Sequence, residues 1–324
     1  MTIHHPNALV PVAVAELPAV ALAIDLDMAA DLARQEKAVA TRRAYKSDFA
    51  VFRAWCASRG VNALPATAES TAAFLASEAQ RGIKPSTVGR RTAAIRFAHK
   101  IANHAPPTDD ERVRATVRGI RRTYGAAVRK KSPALAELII PMALGAGDGL
   151  IGLRDRALLL IGFAMAARRS ELVALDCEHI EETESGLRVK ILRSKTDQEG
   201  QGQTVAVVPG AIACPIKALR AWRDATGITD GPVFRSVKKG GALGPRLSAQ
   251  SVADIVKAHA ERVGLDPAAF SAHSLRAGFL TSAAARGASV FKLMAQSRHK
   301  STDTLAGYVR DSEIFKDHAG AGLL

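Results

Sequence analysis

The stretch from Ala272 to Arg310, AHSLRAGFLTSAAARGASVFKLMAQSRHKSTDTLAGYVR, decides how the rest of the chain is read. His273 and Arg276 stand three apart, His299 follows, and Tyr308 comes nine residues after that histidine. Positions i and i+3 share one face of a helix, so an imidazole and a guanidinium placed there converge on one anion. Ring donors and a guanidinium fork around a phosphate point to phosphoryl chemistry. Taken singly, each residue has an ordinary structural explanation: H-x-x-R pairs recur by chance, and a tyrosine packs its ring while wetting its hydroxyl. The signal lies in the ordered set of H-S-L-R, a helical spacer, R-H-K-S and a late A-G-Y-V-R.

That set resembles the C-terminal half of the catalytic domain of the tyrosine recombinases, the phage integrase family, whose pattern is Arg, Lys, His-x-x-Arg, His and a late nucleophilic Tyr. The resemblance implies earlier members upstream, and the chain supplies them. From Leu153 to Leu175 it reads LRDRALLLIGFAMAARRSELVAL, similar to the family's helix ending in a G-L-R-x-S-E-L type motif. The run from Leu158 to Phe163 has no polar face, which predicts a buried helix, and an arginine at the end of such a helix needs an anionic partner. Periodicity does not separate Arg168 from Arg169. The family register and the i, i+3 spacing to Glu171 favour Arg168.

Leu187 to Leu192 alternates as a strand, and Thr204 to Val208 forms its partner across a long Gly/Gln loop. Lys195 at the start of that loop matches the family's hairpin lysine; without the resemblance it reads as an ordinary solvated lysine. Two departures from the pattern concern backbone geometry. Met165, Ala166 and Ala167 precede Arg168 where a glycine is common, and Arg298 precedes His299 where the family often has one.

The 324 residues suffice for two domains, and 45 Lys plus Arg against 31 Asp plus Glu give a net charge of +14. Such a balance points to a polyanion, with DNA the commonest candidate. Membranes are the competing surface, yet no segment is apolar for long enough to span a bilayer. Cys56, Cys177 and Cys214 are too widely separated for a disulfide framework or a zinc site, which fits a reducing cytoplasm.

Residues 1–24, rich in Ala, Val and Pro, lack a basic n-region and read as a flexible tail. Residues 25–124 read as helices throughout. Thr41 is placed to cap a helix with Tyr45, Phe49, Phe52 and Cys56 inward; Thr67 or Ser70 opens a second; Pro85 starts a third with Val88, Ile95 and Ile101; and an acidic turn at Thr108 to Glu111 precedes Val113, Val117, Ile120 and Tyr124. The basic residues cluster: Arg42, Arg43 and Lys46; Arg90, Arg91 and Arg96; Arg118, Arg121 and Arg122. One such cluster is an ordinary solvated face, but several in one small bundle suggest a surface that tracks phosphates. Arg129, Lys130 and Lys131 fall in a basic linker, residues 125–131, and a second domain occupies residues 132–324. There Pro215 to Thr226 is a helix with Ile216, Leu219 and Trp222 inward, Arg235 to Gly244 a basic loop, and Ser248 the cap of a helix through Arg262. The fold expected is mainly α with a small antiparallel β-sheet. In family vocabulary it is a helical core-binding, SAM-like bundle followed by a tyrosine-recombinase catalytic domain, the two closing on a duplex from opposite sides.

No dense carboxylate cluster suggests a magnesium pair and no G-x-x-x-x-G-K-[ST] loop suggests ATP, so neither metal nor cofactor is expected. Charge in the transition state then falls to protein cations. The resemblance implies that Arg168 and Arg276 hold the scissile phosphate, His273 assists proton transfer at Tyr308, Lys195 protonates the leaving 5′-oxygen, and His299 donates to a phosphate oxygen. It also implies a bacterial, nucleoid-associated enzyme, two protomers on paired inverted half-sites and four in synapsis. A C-terminal tail with Ile314, Phe315, Leu323 and Leu324 packs on a neighbour or on its own domain. Two other readings stand beside this one. A type IB topoisomerase uses similar chemistry without the N-terminal bundle and tail, and a DNA-binding regulator of the same fold would not require the tyrosine.

Overall fold

The computed structural model describes residues 37–125, 131–192 and 202–313, together with Leu22, Ile24, Asp25 and Met28. Its contacts divide the chain into two compact units between Val128 and Arg129. The fold is mainly helical with small antiparallel sheets. No helix among the described residues is long and apolar enough to cross a membrane.

The first unit is a bundle of α1 (Val39–Ala57), α2 (Ala68–Gln80), α3 (Pro85–Ile101) and α4 (Glu111–Tyr124). Phe52, Cys56, Phe74, Leu75, Val88, Ile95, Val113 and Ile120 interlock as its core. Thr67 caps α2 by accepting the Ser70 amide, and Asp110 caps α4 by accepting that of Arg112. Thr41 is not a cap, because α1 begins two residues earlier with Ala38 at its N-cap. Ile101 and Tyr124, expected inward, are exposed at the ends of their helices. Asp48 and Glu78 are buried within the bundle, Asp48 held by Arg90 at 2.6 Å and Glu78 by Arg81 at 2.9 Å, while Arg91 pairs with both acids.

The second unit is built from α5 (Ala136–Leu144), α6 (Leu150–Ala164), α7 (Arg169–Val173), α8 (Pro215–Thr226), α9 (Ala249–Arg262), α10 (His273–Ala285), α11 (Val290–Ser297) and α12 (Thr302–Glu313). Leu158 to Ile161 are buried on every side, so α6 forms the hub against which α5, α8 and α10 pack. The helix stops at Ala164 because Ala166 turns left-handed (φ +47°). The Ala166 amide returns to the Phe163 carbonyl and the Ala167 amide to that of Gly162, a Schellman closure that favours glycine at the αL residue. Arg168 therefore lies beyond the buried helix, in the bend between α6 and α7, and not at its end as expected.

Strands β1 (Ile180–Thr183), β2 (Gly186–Ile191) and β3 (Gln203–Val207) form a sheet with β2 central. Val189 faces Val205 and Leu187 faces Val207, and the alternation buries Leu187, Val189, Ile191, Val205 and Val207 on one side. The anticipated hairpin is present, and β1 adds a third strand to it. The expected basic loop is instead a second hairpin, β4 (Arg235–Val237) with β5 (Leu243–Arg246), stabilised where Arg235 Nε donates to the Gly244 carbonyl.

Helix α10 lies against the chain entering this unit. A Cβ on Gly278 would fall 1.8 Å from the Ala134 carbonyl oxygen, so only glycine permits the approach. The Ala134 amide donates to the Ser274 carbonyl at 3.0 Å and the Ala136 amide to Ser282 Oγ at 3.0 Å.

Candidate active site

Arg276, in the first turn of α10, is wholly buried and lies at the centre of the site. Its Nη1 donates to the Ala166 carbonyl at 2.7 Å and its Nη2 to Nε2 of His299 at 3.1 Å. Burial first, then the charges of Arg168 and Arg298, push its pKa down to about 9, which marks a cation in need of an anion.

His299 follows the left-handed Arg298 that closes α11. Its Nδ1 meets Ser297 Oγ at 2.8 Å, and the serine hydroxyl donates to the Leu293 carbonyl at 2.6 Å. This network places the ring proton on Nδ1 and the Nε2 lone pair toward Arg276. Burial, then Arg276 and Arg168, lower its pKa to about 4, so the ring is neutral at pH 7.

Arg168 precedes α7, with its amide donating to Glu171 Oε2 at 2.9 Å and its Nη1 pairing with Oε1 at 2.5 Å. Arg169 is exposed. Periodicity leaves the two arginines open, and the i, i+3 spacing that favours Arg168 is met by its pair with Glu171. Burial alone would raise the Glu171 carboxyl, but Arg298 and Arg168 outweigh it and hold the group below its ordinary pKa.

Tyr308 on α12 is half-buried against Leu280, Leu293 and Leu305, with its hydroxyl 3.4 Å from His273 Nε2. Desolvation, then Arg276 and Arg168, lower the His273 pKa, keeping its ring neutral and able to accept the phenol's proton. Burial raises the Tyr308 pKa, with Arg276 opposing. Beside His299 a cleft of about 350 Å³ runs between β3 and α11, lined by Gln203, Thr204, Met294, Arg298 and Lys300.

Five of the sequence-derived elements, Arg168 with Glu171, His273, Arg276, His299 and Tyr308, thus converge from four separated segments. Lys195 lies outside the described residues, as do Arg129, Lys130 and the tail with Ile314, Phe315, Leu323 and Leu324. Arg298 is the residue that sequence reading missed. It registered only as a departure from glycine, whereas its guanidinium is buried and bonded to Glu171 Oε2 at 2.7 Å.

The basic residues of the bundle divide into two groups. Arg90, Arg91, Arg96 and Arg118 pair with Asp48, Glu78, Asp109 and Glu111. Arg43, Lys46, Arg121 and Arg122 are exposed, and Arg42 is half-exposed, without a carboxylate partner among the described residues. Lys131, also exposed, contacts the Ala268 carbonyl. Asp176, Glu178 and His179 gather three potential metal-ligand side chains, but His179 Nδ1 accepts the Asp176 amide at 3.0 Å. That bond leaves the proton on Nε2, so the ring has no lone pair to offer, and the trio does not fit a metal.

Residues 143–313 match the model of the "Phage integrase family", and residues 29–105 match "Phage integrase, N-terminal SAM-like domain". An integrase/recombinase xerD homolog of Selenomonas ruminantium is 40% identical over 292 residues, covering 88% of this chain and 85% of its own. Among solved structures, a lambda integrase (75–356) dimer bound to a COC′ core site aligns with a TM-score of 0.60 at 18% identity, covering 90% of this chain and 96% of that one. A lambda integrase tetramer bound to a Holliday junction aligns at 0.59 and 16% identity, covering 92% and 79%.

Proposed function

Because this chain belongs to the phage integrase family and is a site-specific tyrosine recombinase, we propose that it cuts and rejoins DNA through a 3′-phosphotyrosyl bond made by Tyr308, without metal or nucleotide. The observation that carries the proposal is the 3.4 Å contact between the Tyr308 hydroxyl and His273, one helical turn from buried Arg276. The phenol's reference pKa is ~10, so its attack needs a proton acceptor, and the neutral His273 ring is one. As Oη bonds to phosphorus, the P–O5′ bond breaks and the leaving oxygen takes a proton from Lys195. Arg168 and Arg276 hold the non-bridging oxygens, and their positive charge offsets the charge that builds there. His299 donates to one of those oxygens, which requires a proton on Nε2. The incoming phosphate draws the Arg276 guanidinium to itself and adds negative charge, freeing Nε2 and raising its basicity. One phosphodiester is exchanged for another, so a second strand's 5′-hydroxyl reverses the step without ATP.

Arg42, Arg43, Lys46, Arg121 and Arg122, with Arg129, Lys130 and Lys131, are proposed to hold the DNA backbone; Arg90, Arg91, Arg96 and Arg118 add to that surface where their ion pairs yield to phosphate. The partner is double-stranded DNA with paired inverted half-sites, bound by two protomers and brought together by four, at the bacterial nucleoid. The test is direct. With duplex selected by binding to the purified protein and nicked beside the cut site, the wild type forms an SDS-resistant adduct. Tyr308→Phe binds equally and forms none. An adduct that persists in the Phe variant moves the nucleophile elsewhere, and relaxation of a plasmid lacking any selected site moves the protein toward a topoisomerase.

A further inference from the structure

Besides α12 with Tyr308, three separated segments meet at the site: the bend of residues 165–171, helix α10, and residues 296–299 where α11 ends. Something must hold their relative positions, because two of the segments end in backbone turns that resist them. Ala166 and Arg298 both adopt positive φ, +47° and +59°, a left-handed conformation that strains any residue with a Cβ. Glycine would relieve both turns. The arginine side chain at 298 brings contacts that glycine lacks.

Its guanidinium is 1% exposed and reaches across to the other bend. Nη1 donates to the Gln296 carbonyl at 2.7 Å and to the Met165 carbonyl at 3.1 Å. Nη2 donates to the Ala166 carbonyl at 3.2 Å and to Glu171 Oε2 at 2.7 Å. Two of these four acceptors are shared with the catalytic arginines. The Ala166 carbonyl simultaneously receives Arg276 at 2.7 Å, and the Glu171 carboxylate simultaneously receives Arg168. Gln296, one turn away, adds a parallel brace through Nε2 to the Ala164 carbonyl at 2.7 Å and the Ala206 carbonyl at 2.8 Å.

We infer that Arg298 is a positioning residue for the strand-transfer reaction: its guanidinium ties the bend holding Arg168, through Glu171 and the Ala166 carbonyl, to the segment holding His299. It touches no reacting atom in this role. It fixes the two phosphate-gripping arginines and the histidine against one another before DNA arrives, and its charge joins theirs in depressing the pKa of His299 and Arg276. A lysine cannot replace it, because one ammonium does not span three carbonyls and a carboxylate in a planar fork.

The inference rests on the proposed roles of Arg168, Arg276 and His299, and its test carries two readouts so that the two ideas fail separately. In single-turnover cleavage of the nicked duplex, Arg298→Gly is expected to lose about 10²-fold in adduct-forming rate, the cost of roughly 1 Å of misplacement, while its affinity for the duplex stays within about 3-fold. Arg298→Lys, which keeps the buried charge, is expected to lose about 10-fold. In the DNA-free protein, 15N spectra of the arginine side chains should show slowly exchanging Nε–H signals for Arg168 and Arg276, broadened in Arg298→Gly. Cleavage by Arg298→Gly within about 3-fold of wild type overturns the inference, as does a loss of binding in proportion to the loss of rate. If the wild type makes no adduct, the phosphotyrosyl reading fails by itself. The arginine spectra then decide whether Arg298 orders the cluster, and unchanged Arg168 and Arg276 signals in the glycine variant reject it.

Discussion

The bundle and the candidate active site both bury charge, in opposite senses. In the bundle the acids are inside: Asp48 and Glu78 are 5% and 0% exposed, while Arg90 and Arg81 remain 51% and 68% exposed at the side chain. Arg90 and Arg81 reach down from the water, and Arg91, mostly buried, lies between the two acids, so each carboxylate is met by cations in a closed arrangement. In the site the cations are inside. Arg168 and Arg298 bond one carboxylate, Glu171, Arg276 bonds none, and the imidazoles beside them are held neutral. Such a surplus of buried positive charge is costly until an anion arrives, and a phosphodiester meets that need. Buried acids with surface cations describe architecture; buried cations short of acids describe a binding site.

The largest effect expected from this contrast is at Arg276. Arg276→Ala should lower the single-turnover cleavage rate by about 10³-fold, since one charge-stabilising donor is worth 10²–10³ and this one also orders His299. Glu78→Ala should do the reverse. Removing this buried acid leaves Arg91 with only its longer contact to Asp48, 3.7 Å, costing about 3 kcal/mol in denaturant unfolding of the bundle while leaving cleavage per folded molecule unchanged. Equal damage to cleavage from both variants would erase the distinction. Next in size, Gly278→Ala places a methyl on the Ala134 carbonyl and should cost about 2 kcal/mol, read as a lower denaturant midpoint together with slower cleavage.

The smallest effect is in acid. His99 is buried in the bundle, with Nε2 accepting the Ala66 amide at 2.9 Å and Nδ1 facing the Ile95 carbonyl, and burial depresses its pKa. The folded bundle therefore binds fewer protons than the unfolded chain. Its contribution is complete above the unfolded pKa of ~6.5 and declines as pH falls below it. His99→Gln should flatten the pH dependence of unfolding below about pH 6.5. His299 is depressed as well, but the proposed phosphate raises it again. DNA binding should thus take up protons near pH 6, measurable by calorimetry in buffers of different ionisation enthalpy, and His299→Gln should abolish the uptake. Uptake that survives that substitution would place the proton elsewhere.

Much of this was legible in the chain because the signals are local. An apolar run without a polar face marks α6, Pro215 and Ser248 mark the starts of α8 and α9, and strict alternation marks β2 and β3. The pairing of Arg168 with Glu171 follows from their i, i+3 spacing. What stayed hidden either carries no periodic signal or depends on a partner far away in sequence. The Lys238 to Gly241 segment carries turn residues, but its pairing of Arg235 with Arg246 is not written in alternation, so the hairpin read as a loop. Arg298 gave no sign that it would fold inward across to residues 165–171, because no property of an isolated arginine announces a carboxylate 127 positions upstream.

The fit of Gly278 against Ala134 has a mechanical consequence. The polypeptide entering the second unit is stitched to α10 at Ala134 and Ala136, and α10 is the rod that carries both His273 and Arg276. A tug on that incoming thread would pass through Lys131 and Ser132, which bond the Ala268 and Ala269 carbonyls just ahead of α10, and then into α10 itself, so tension on the chain is led toward the machinery that performs the chemistry.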